Sequence, residues 1–445
     1  MSLTLTAPAA HPRPVGAPPA LSVGVALTFI PFFAAALGHP IGGGWTGFAL
    51  AFLLPAAAAK AYILTAYRAT APGIKHDGVM DGYFTGRKLP GVLLGVVLTG
   101  LYTVLYFKGE KLAGAYQLTE PLSQLLRHRP ADQWFLYGLI YTLSVGVMGL
   151  RMFMKYRHNR YQLWRTASVT FFQLGFAFLL PAFLLAMQQP EFYFTYFWPL
   201  KPDYLYPSYW RYLWSQPGGV GAFMLLFGVA ASFILTPLLT YYLGKRWYCS
   251  WVCGCGGLAE TAGDPFRQLS DKRRIAWRFE RWSIHGVLVA ITALTLWLWF
   301  GDESSQAVQT AKSWYGYGVG MVLSGIVGVG FYPLMGSRVW CRFFCPMAAF
   351  LGLLQRFFSR FRITTNGGQC IACGNCSTYC EMGIDVRAYA MQGKNIVRAS
   401  CVGCGVCAAV CPRGVLKLEN GATHGDRYDG ADNPLAALLR SLKQP

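Results

Sequence analysis

Charge is what this sequence has least of. Asp, Glu, Lys and Arg make up 13% of its 445 residues, against roughly a quarter in a soluble globular domain. Acidic groups are the scarcer kind, 19 against 39 Lys and Arg. With 54% hydrophobic residues and a mean hydropathy of +0.34, the chain is excluded from the ordinary soluble enzymes and belongs in lipid. The cationic surplus is then expected in the loops of one membrane face, and a nucleic-acid partner is excluded as its cause. Cysteine is absent before Cys249, and all 13 fall between that residue and Cys411. Thiol-based redox or metal chemistry therefore has no ligand in the first half. Histidine is sparse too: His39 sits at a helix end, His158 in a loop and His285 near the start of an apolar run. No facing pair suits a b-type haem, no C-x-x-C-H motif suits a c-type haem, and no flavin signature is present. The stretch through Pro19 is Pro/Ala-rich without a charged n-region, so no cleavable signal peptide is expected.

What remains is apolar length. A bilayer core of about 30 Å needs roughly 20 apolar residues as a helix, and eight stretches approach that: 21–38, 45–67, 89–107, 134–150, 166–187, 219–243, 282–300 and 315–336. Pro55 and Pro181 are expected as tolerated kinks. The loops after the second, fourth and sixth stretches hold most of the loop Lys and Arg, among them Arg151, Lys155, Arg165, Arg246 and Arg267. The positive-inside rule then puts those loops and both termini in the cytoplasm, as expected of a multi-pass protein of the bacterial inner membrane. The aromatic loop from Phe192 to Trp214 falls on the outer face and reads as an interfacial belt. The segment Met347 to Phe361 reads as an amphipathic helix on the membrane surface. The expected fold class is mainly α: a polytopic helix bundle of about eight spans with a C-terminal bacterial-type ferredoxin-like α+β domain. Its divisions are a cytoplasmic tail 1–20, a five-helix block 21–190, a second membrane block 191–362, a ferredoxin-like domain 363–420 and a tail 421–445.

Cys370, Cys373, Cys376 and Cys380 follow C-x2-C-x2-C-x3-C, and Cys401, Cys404, Cys407 and Cys411 repeat it 31 residues later. Three thiolates on one tight loop reach three irons of a cubane, and in two-cluster ferredoxins the fourth cysteine serves the other cluster. The predicted ligand sets are Cys370, Cys373, Cys376 and Cys411 for one [4Fe-4S] cluster, and Cys401, Cys404, Cys407 and Cys380 for the other. Gly374 and Gly405 let these loops turn closely. Pro412 follows the last cysteine as the pattern expects, whereas Glu381 replaces proline after Cys380. Structural zinc, the competing metal, more commonly uses paired C-x2-C knuckles.

A second repeat lies upstream. Arg246-Trp247-Tyr248-Cys249 and Cys253 end the sixth stretch, and Arg338-Val339-Trp340-Cys341 and Cys345 end the eighth. Each has Arg three before the first cysteine, an aromatic immediately before it, and C-x3-C. On one helix, residues four apart share a face, so the four sulfurs are expected to converge at the cytoplasmic rim, with Cys255 as an extra ligand. An additional iron-sulfur cluster, a dithiol–disulfide couple and a soft metal such as Cu(I) all fit this set; inert buried thiols are the alternative.

From roughly Gly219 to Glu419 these motifs resemble the membrane polyferredoxin family of NosR and NapH, which joins two Cys-x3-Cys-Pro motifs to a double [4Fe-4S] domain. Gly254 departs from that pattern, standing where the first proline would be. The resemblance implies electron transfer between the quinone pool or a cytoplasmic donor and a respiratory partner, as a component of an oxidoreductase complex. The alternative it implies is a redox assembly factor that reduces a metal or a thiol during maturation of a respiratory metalloenzyme. Membrane lipid, redox partner proteins and a quinone are the expected partners. Lys60 and His285, ionisable groups within apolar stretches, are the candidates for a quinone or proton site.

Overall fold

The computed structural model describes residues 19–68 and 87–420. The tails 1–20 and 421–445 lie almost wholly outside the described residues, as does the loop cation Lys75. Six helices are long and apolar enough to cross a membrane: α1 (Gly44–Arg68), α2 (Leu89–Phe107), α3 (Gln133–Lys155), α4 (Arg160–Ala186), α5 (Pro217–Leu243) and α6 (Arg274–Phe300). They coincide with the second to seventh apolar stretches. The first stretch is broken into two helices, Pro19–Leu27 and Ile30–Ala36, because Pro31 supplies no N–H to continue the ladder. The eighth is helical over 306–330 (α7) and then turns at Phe331. Gly316, Gly318, Gly320, Gly325, Gly328 and Gly330 dilute its apolar surface, so six spans rather than eight qualify by length and composition.

Three of the long helices widen where proline interrupts them. The i→i+5 turns Ala49–Leu53, Phe172–Leu179 and Ala231–Leu235 stand immediately ahead of Pro55, Pro181 and Pro237. A proline ring presses on the carbonyl four residues back, and a wider turn moves that carbonyl away while keeping most of the helix bonded. The fourth such segment, Gly316–Val327 in α7, has no proline two residues after it and is glycine-rich instead.

The aromatic loop is not an interfacial belt. Trp198, Tyr204 and Tyr206 are buried, and Tyr204 stacks on Phe192 with ring centroids 4.4 Å apart. The loop folds into the short helix Pro207–Trp214, which caps the start of α5 and leaves Trp214 exposed. Helix α8 (Pro346–Phe358) is amphipathic as expected, with Leu353, Phe357 and Phe358 outward, while Met347, Ala348, Leu351 and Gln355 are buried against α5 and α6. It leads into β1 (Phe361–Thr365), which pairs antiparallel with β2 (Leu416–Asn420) in the register Phe361 to Asn420 and Thr365 to Leu416. That two-stranded sheet closes the cysteine-rich segment on itself.

Several loop cations turn out to be interior. Arg151 and Lys155, in α3, both reach Asp264 at 2.7 Å, and Arg267 joins it at 3.0 Å. Arg165, in α4, pairs with Glu260. All six residues are buried. Lys and Arg that the sequence places in loops thus serve internal ion pairs. Burial pushes the Asp264 carboxyl up, but Lys155, Arg267 and Arg151 outweigh it and hold the group well below the usual carboxylate range. Removing one member of such a network strands buried charge, which costs roughly 3–5 kcal/mol. Asp264→Ala is therefore expected to lower the thermal midpoint of the detergent-solubilised chain steeply, whereas Arg211→Ala at an exposed pair shifts stability by about 1 kcal/mol at most. Because the Asp264 value is depressed, its contribution is present above the unfolded carboxylate value near ~4 and is lost as pH falls through the folded one; acid titration of the melting curve checks the sign.

Candidate functional site

The two upstream cysteine motifs take the same backbone path. Each follows a glycine at positive φ, Gly244 (66°) and Gly336 (91°), where the chain leaves a helix at an angle that side chains disfavour. Each first cysteine sits in a five-residue helix, Trp247–Trp251 or Val339–Phe343, and each second cysteine is extended and caps the next helix, Gly254–Glu260 or Pro346–Phe358. The C-x3-C pair therefore straddles a joint between two helices and does not lie on one face of a single helix. The joint arises because Val252 and Phe344 leave helical geometry, with the N–H of Cys253 returning to the Tyr248 carbonyl at 2.9 Å and that of Cys345 to Trp340 at 3.0 Å.

The two motifs nonetheless lie in the same part of the core. Cys249, Cys253, Cys341 and Cys345 are all buried in one core, with Cys255 packed against it. A reciprocal pair of arginines holds the halves together. Arg246, three before Cys249, donates to the carbonyl of Cys341 at 2.9 Å, and Arg338, three before Cys341, donates to the carbonyl of Cys249 at 3.0 Å. Burial pushes the Cys249 and Cys345 thiols well up. Cys253 is drawn down to about 7, chiefly by a hydrogen bond from the Cys255 thiol, with the N–H groups of Gly256 and Cys255 assisting.

The downstream loops divide by exposure. Cys370, Cys373, Cys376 and Cys411 line one surface pocket with Gly374 and Pro412, so the last cysteine of the second motif meets the first three of the first. Cys373 is exposed. In the other loop Cys401 and Cys407 are buried, and the charges of Cys404, Cys401 and Cys380 bear on Cys407. Gly374 and Gly405 both adopt positive φ, 80° and 72°, as their loops require. All thirteen cysteines are free. Among the described residues no three His, Cys, Asp or Glu side chains come together as a metal site.

The second loop is clamped to the membrane block. The N–H of Arg246 donates to the Cys401 carbonyl at 3.2 Å and its Nε to that of Ala399 at 2.8 Å. Ser250 reaches Val402 at 2.9 Å, Tyr161 reaches Gly403 at 2.7 Å, and Gln162 reaches Cys404 at 2.7 Å. Glu381, standing where the pattern has proline, is fully buried; its carboxylate meets Arg338 at 3.0 Å and Arg267 at 3.4 Å, and Ser270 donates to its carbonyl at 2.6 Å. A buried carboxylate here ties the loop of Cys380 to the arginine that pins Cys249.

These surroundings suit anionic iron-sulfur groups. Four buried carboxylates, Glu260, Asp264, Glu280 and Glu381, face eight buried cations: Arg151, Lys155, Arg165, Lys245, Arg246, Arg267, Arg338 and Arg342. Arg165 Nε and Nη1 and Arg338 Nε have no hydrogen-bond acceptor in the protein. Arg165 acts on Cys404, Lys245 lies beside Cys401 and Cys407, and Arg338 Nη1 stands 3.9 Å from the Cys341 sulfur. Surplus buried cations are costly unless negative charge lies close, and thiolate-bound iron provides it. Burial pushes Cys376 and Cys380 up to about 11 and Cys404 up to about 12, and a cysteine that ligates a metal does so as the thiolate. Lys60 is exposed on α1, and His285 is half-buried on α6 within reach of the Arg246 charge.

Comparison with known proteins agrees with this chemistry. Residues 369–416 match the family described as a 4Fe-4S dicluster domain, and 222–273 and 317–364 each match a 4Fe-4S binding domain, one per upstream motif. Over 144 residues the chain is 31% identical to methylamine utilization ferredoxin-type protein MauN of Methylobacillus flagellatus, covering 32% of this chain and 50% of the relative. It is 31% identical over 169 residues to MauN of Paracoccus denitrificans, covering 37% and 58%. It is 26% identical over 167 residues to YccM of Escherichia coli, named as a candidate electron transport protein, covering 35% and 45%. The chain spans about half the length of the curated relatives it matches. No solved structure matches it. The chain thus matches 4Fe-4S domain models at each upstream cysteine motif and again in the downstream cysteine-rich segment.

If Glu381 ties the cysteine-rich segment to the bundle, Glu381→Gln leaves Arg338 and Arg267 short of negative charge. The expected result is a loss of roughly 3–5 kcal/mol and faster protease release of the segment from α8 onward, read by limited digestion; Glu419→Gln on β2 serves as the control.

Proposed function

We propose that the protein is a multi-pass iron-sulfur electron-transfer protein of the bacterial inner membrane, relaying electrons between the quinone pool or a cytoplasmic donor and a respiratory partner. In this reading Cys370, Cys373, Cys376 and Cys411 hold one [4Fe-4S] cluster, Cys401, Cys404, Cys407 and Cys380 hold another, and Cys249, Cys253, Cys341 and Cys345 form a further redox centre. The cysteine segment and both termini face the cytoplasm. Such clusters, when bound, take up and release single electrons. The names of the relatives, a ferredoxin-type protein and an electron transport protein, agree with that role.

One observation supports the reading: burial of the cysteines increases from the first downstream loop to the upstream motifs. The first loop presents Cys373 to solvent, where a partner can dock. Behind it the second loop is buried, with its carbonyls at 399, 401, 403 and 404 bonded to the membrane block. Arg246 then touches both that loop and Cys341. The protein's part is to keep these sulfurs apart from water and to stabilise the negative charge they carry with Arg165, Lys245 and Arg338.

An anaerobic preparation is expected to contain iron and acid-labile sulfide and, after dithionite, the EPR signal of reduced [4Fe-4S] clusters. Cys411→Ser is expected to alter the cluster of the exposed loop, the one that chelators reach first, and to spare the other. A Cys249→Ser/Cys341→Ser variant is expected to lose a separate signal; an unchanged spectrum would turn the upstream centre into a dithiol, and iron-free protein would end the proposal.

A further inference from the structure

A cavity of about 1040 Å³ opens between α2, α3, α4 and α7, and the relay described above makes no use of it. At its inner end it reaches Cys255, Trp340 and Pro346, beside the cysteine centre. At the other it opens among Arg127, Asp132, Glu191, Lys201, Asp203 and Lys312, the loops at the far end of the bundle. Between them the walls are largely apolar, with hydroxyls from Tyr137, Tyr141 and Tyr196 and the carboxamide of Gln173.

Three features indicate a built site. Gln173 is buried, donates through Nε2 to Thr142 at 3.1 Å, and leaves its Oε1 without a partner. Two of the four wide-turn segments, Phe172–Leu179 and Gly316–Val327, supply wall residues, and such segments often mark functional sites. The third is Gly254. A Cβ at that position would run into the Tyr196 hydroxyl and lie 2.8 Å from Gln173 Oε1. The proline found in the matching place of the other motif, Pro346, would therefore obstruct the two groups best placed to bind a ligand, and this explains why the duplicated motifs differ there.

The mouth carries three cations and three carboxylates, so it favours neither sign, and the apolar walls would strip a metal ion of water without replacing it. A neutral molecule with a hydrogen-bonding head fits. We propose that the cavity binds a quinone-type ring, its carbonyl or hydroxyl head among Gln173, Tyr141 and Tyr196, next to Cys255. The inference rests on the electron-transfer reading and gives that reading its small-molecule site, in place of Lys60 or His285. Oxidation of the quinol form breaks two O–H bonds, sends two protons toward the carboxylates of the mouth, and yields two electrons, one to each cluster proposed for the dicluster segment; reduction runs the same balance backwards.

Duroquinone and duroquinol are suitable probes for the full-length chain in detergent. Trp134 and Trp340 line the cavity, so duroquinone is expected to quench tryptophan fluorescence saturably, and duroquinol to bleach the cluster absorbance anaerobically. Gln173→Leu is expected to weaken duroquinone binding about tenfold, as loss of one buried hydrogen bond implies. Gly320→Leu, whose first added atom meets nothing within 4 Å, is expected to narrow the cavity beside α7 and weaken duroquinone binding. Both variants should keep wild-type iron content and dithionite-reducible clusters. Wild-type protein that is reduced by dithionite yet binds no duroquinone, or variants that bind as the wild type does, would overturn the quinone site alone. Wild-type protein with no reducible cluster would instead overturn the relay on which it rests.

Discussion

Two arginines that cross between the halves of a duplicated motif hold this molecule's centre. Arg246 and Arg338 each bind the carbonyl of the other half's first cysteine, and each has a second engagement: Arg246 with the loop of Cys401, Arg338 with Glu260 and Glu381. A guanidinium presents several donors in a rigid fork and stays charged when buried, so one side chain can serve a carbonyl and a carboxylate at once. Lysine could not do so from a single nitrogen with the same geometry. Membrane helices, cysteine joints and the downstream segment are thereby joined through a few atoms.

That arrangement stands in a dry interior, which makes its charges costly to strand and rigid when satisfied. The chain collects Arg151, Lys155, Arg165 and Arg267 on two carboxylates, Glu260 and Asp264, in the short segment between α5 and α6. The surplus of cation over carboxylate is what an apolar, basic sequence would need if sulfur-bound iron completed the charge. Arg165, Lys245 and Arg338 thus stand as positive charge beside the cysteines.

The bundle around this centre is loosened in particular places. Wide helical turns ahead of Pro55, Pro181 and Pro237 absorb the missing hydrogen bonds, and the glycine-rich face of α7 leaves room beside α4. Gly254 keeps the inner end of the resulting cavity open where its counterpart has Pro346. The two motifs share a backbone path, and Gly254 against Pro346 is one of the places where they differ.

Read alone, the amino-acid order determined what is local: the apolar runs that became α1 to α6, the octet spacing of Cys370 to Cys380 and Cys401 to Cys411, and the repeat around Cys249 and Cys341. Spacing and composition carry such information because helices and metal loops are built from neighbours in the chain. It also marked Glu381 and Gly254 as departures without saying what either was for. Only the tertiary structure decided that Glu381 faces Arg338, that Arg151 and Arg165 are interior rather than loop charges, that C-x3-C bends across a joint, and that Trp198 and Tyr204 are buried. Each of those depends on which distant segment lies opposite, and in an apolar interior the position of a single countercharge or hydroxyl outweighs any preference written along the chain.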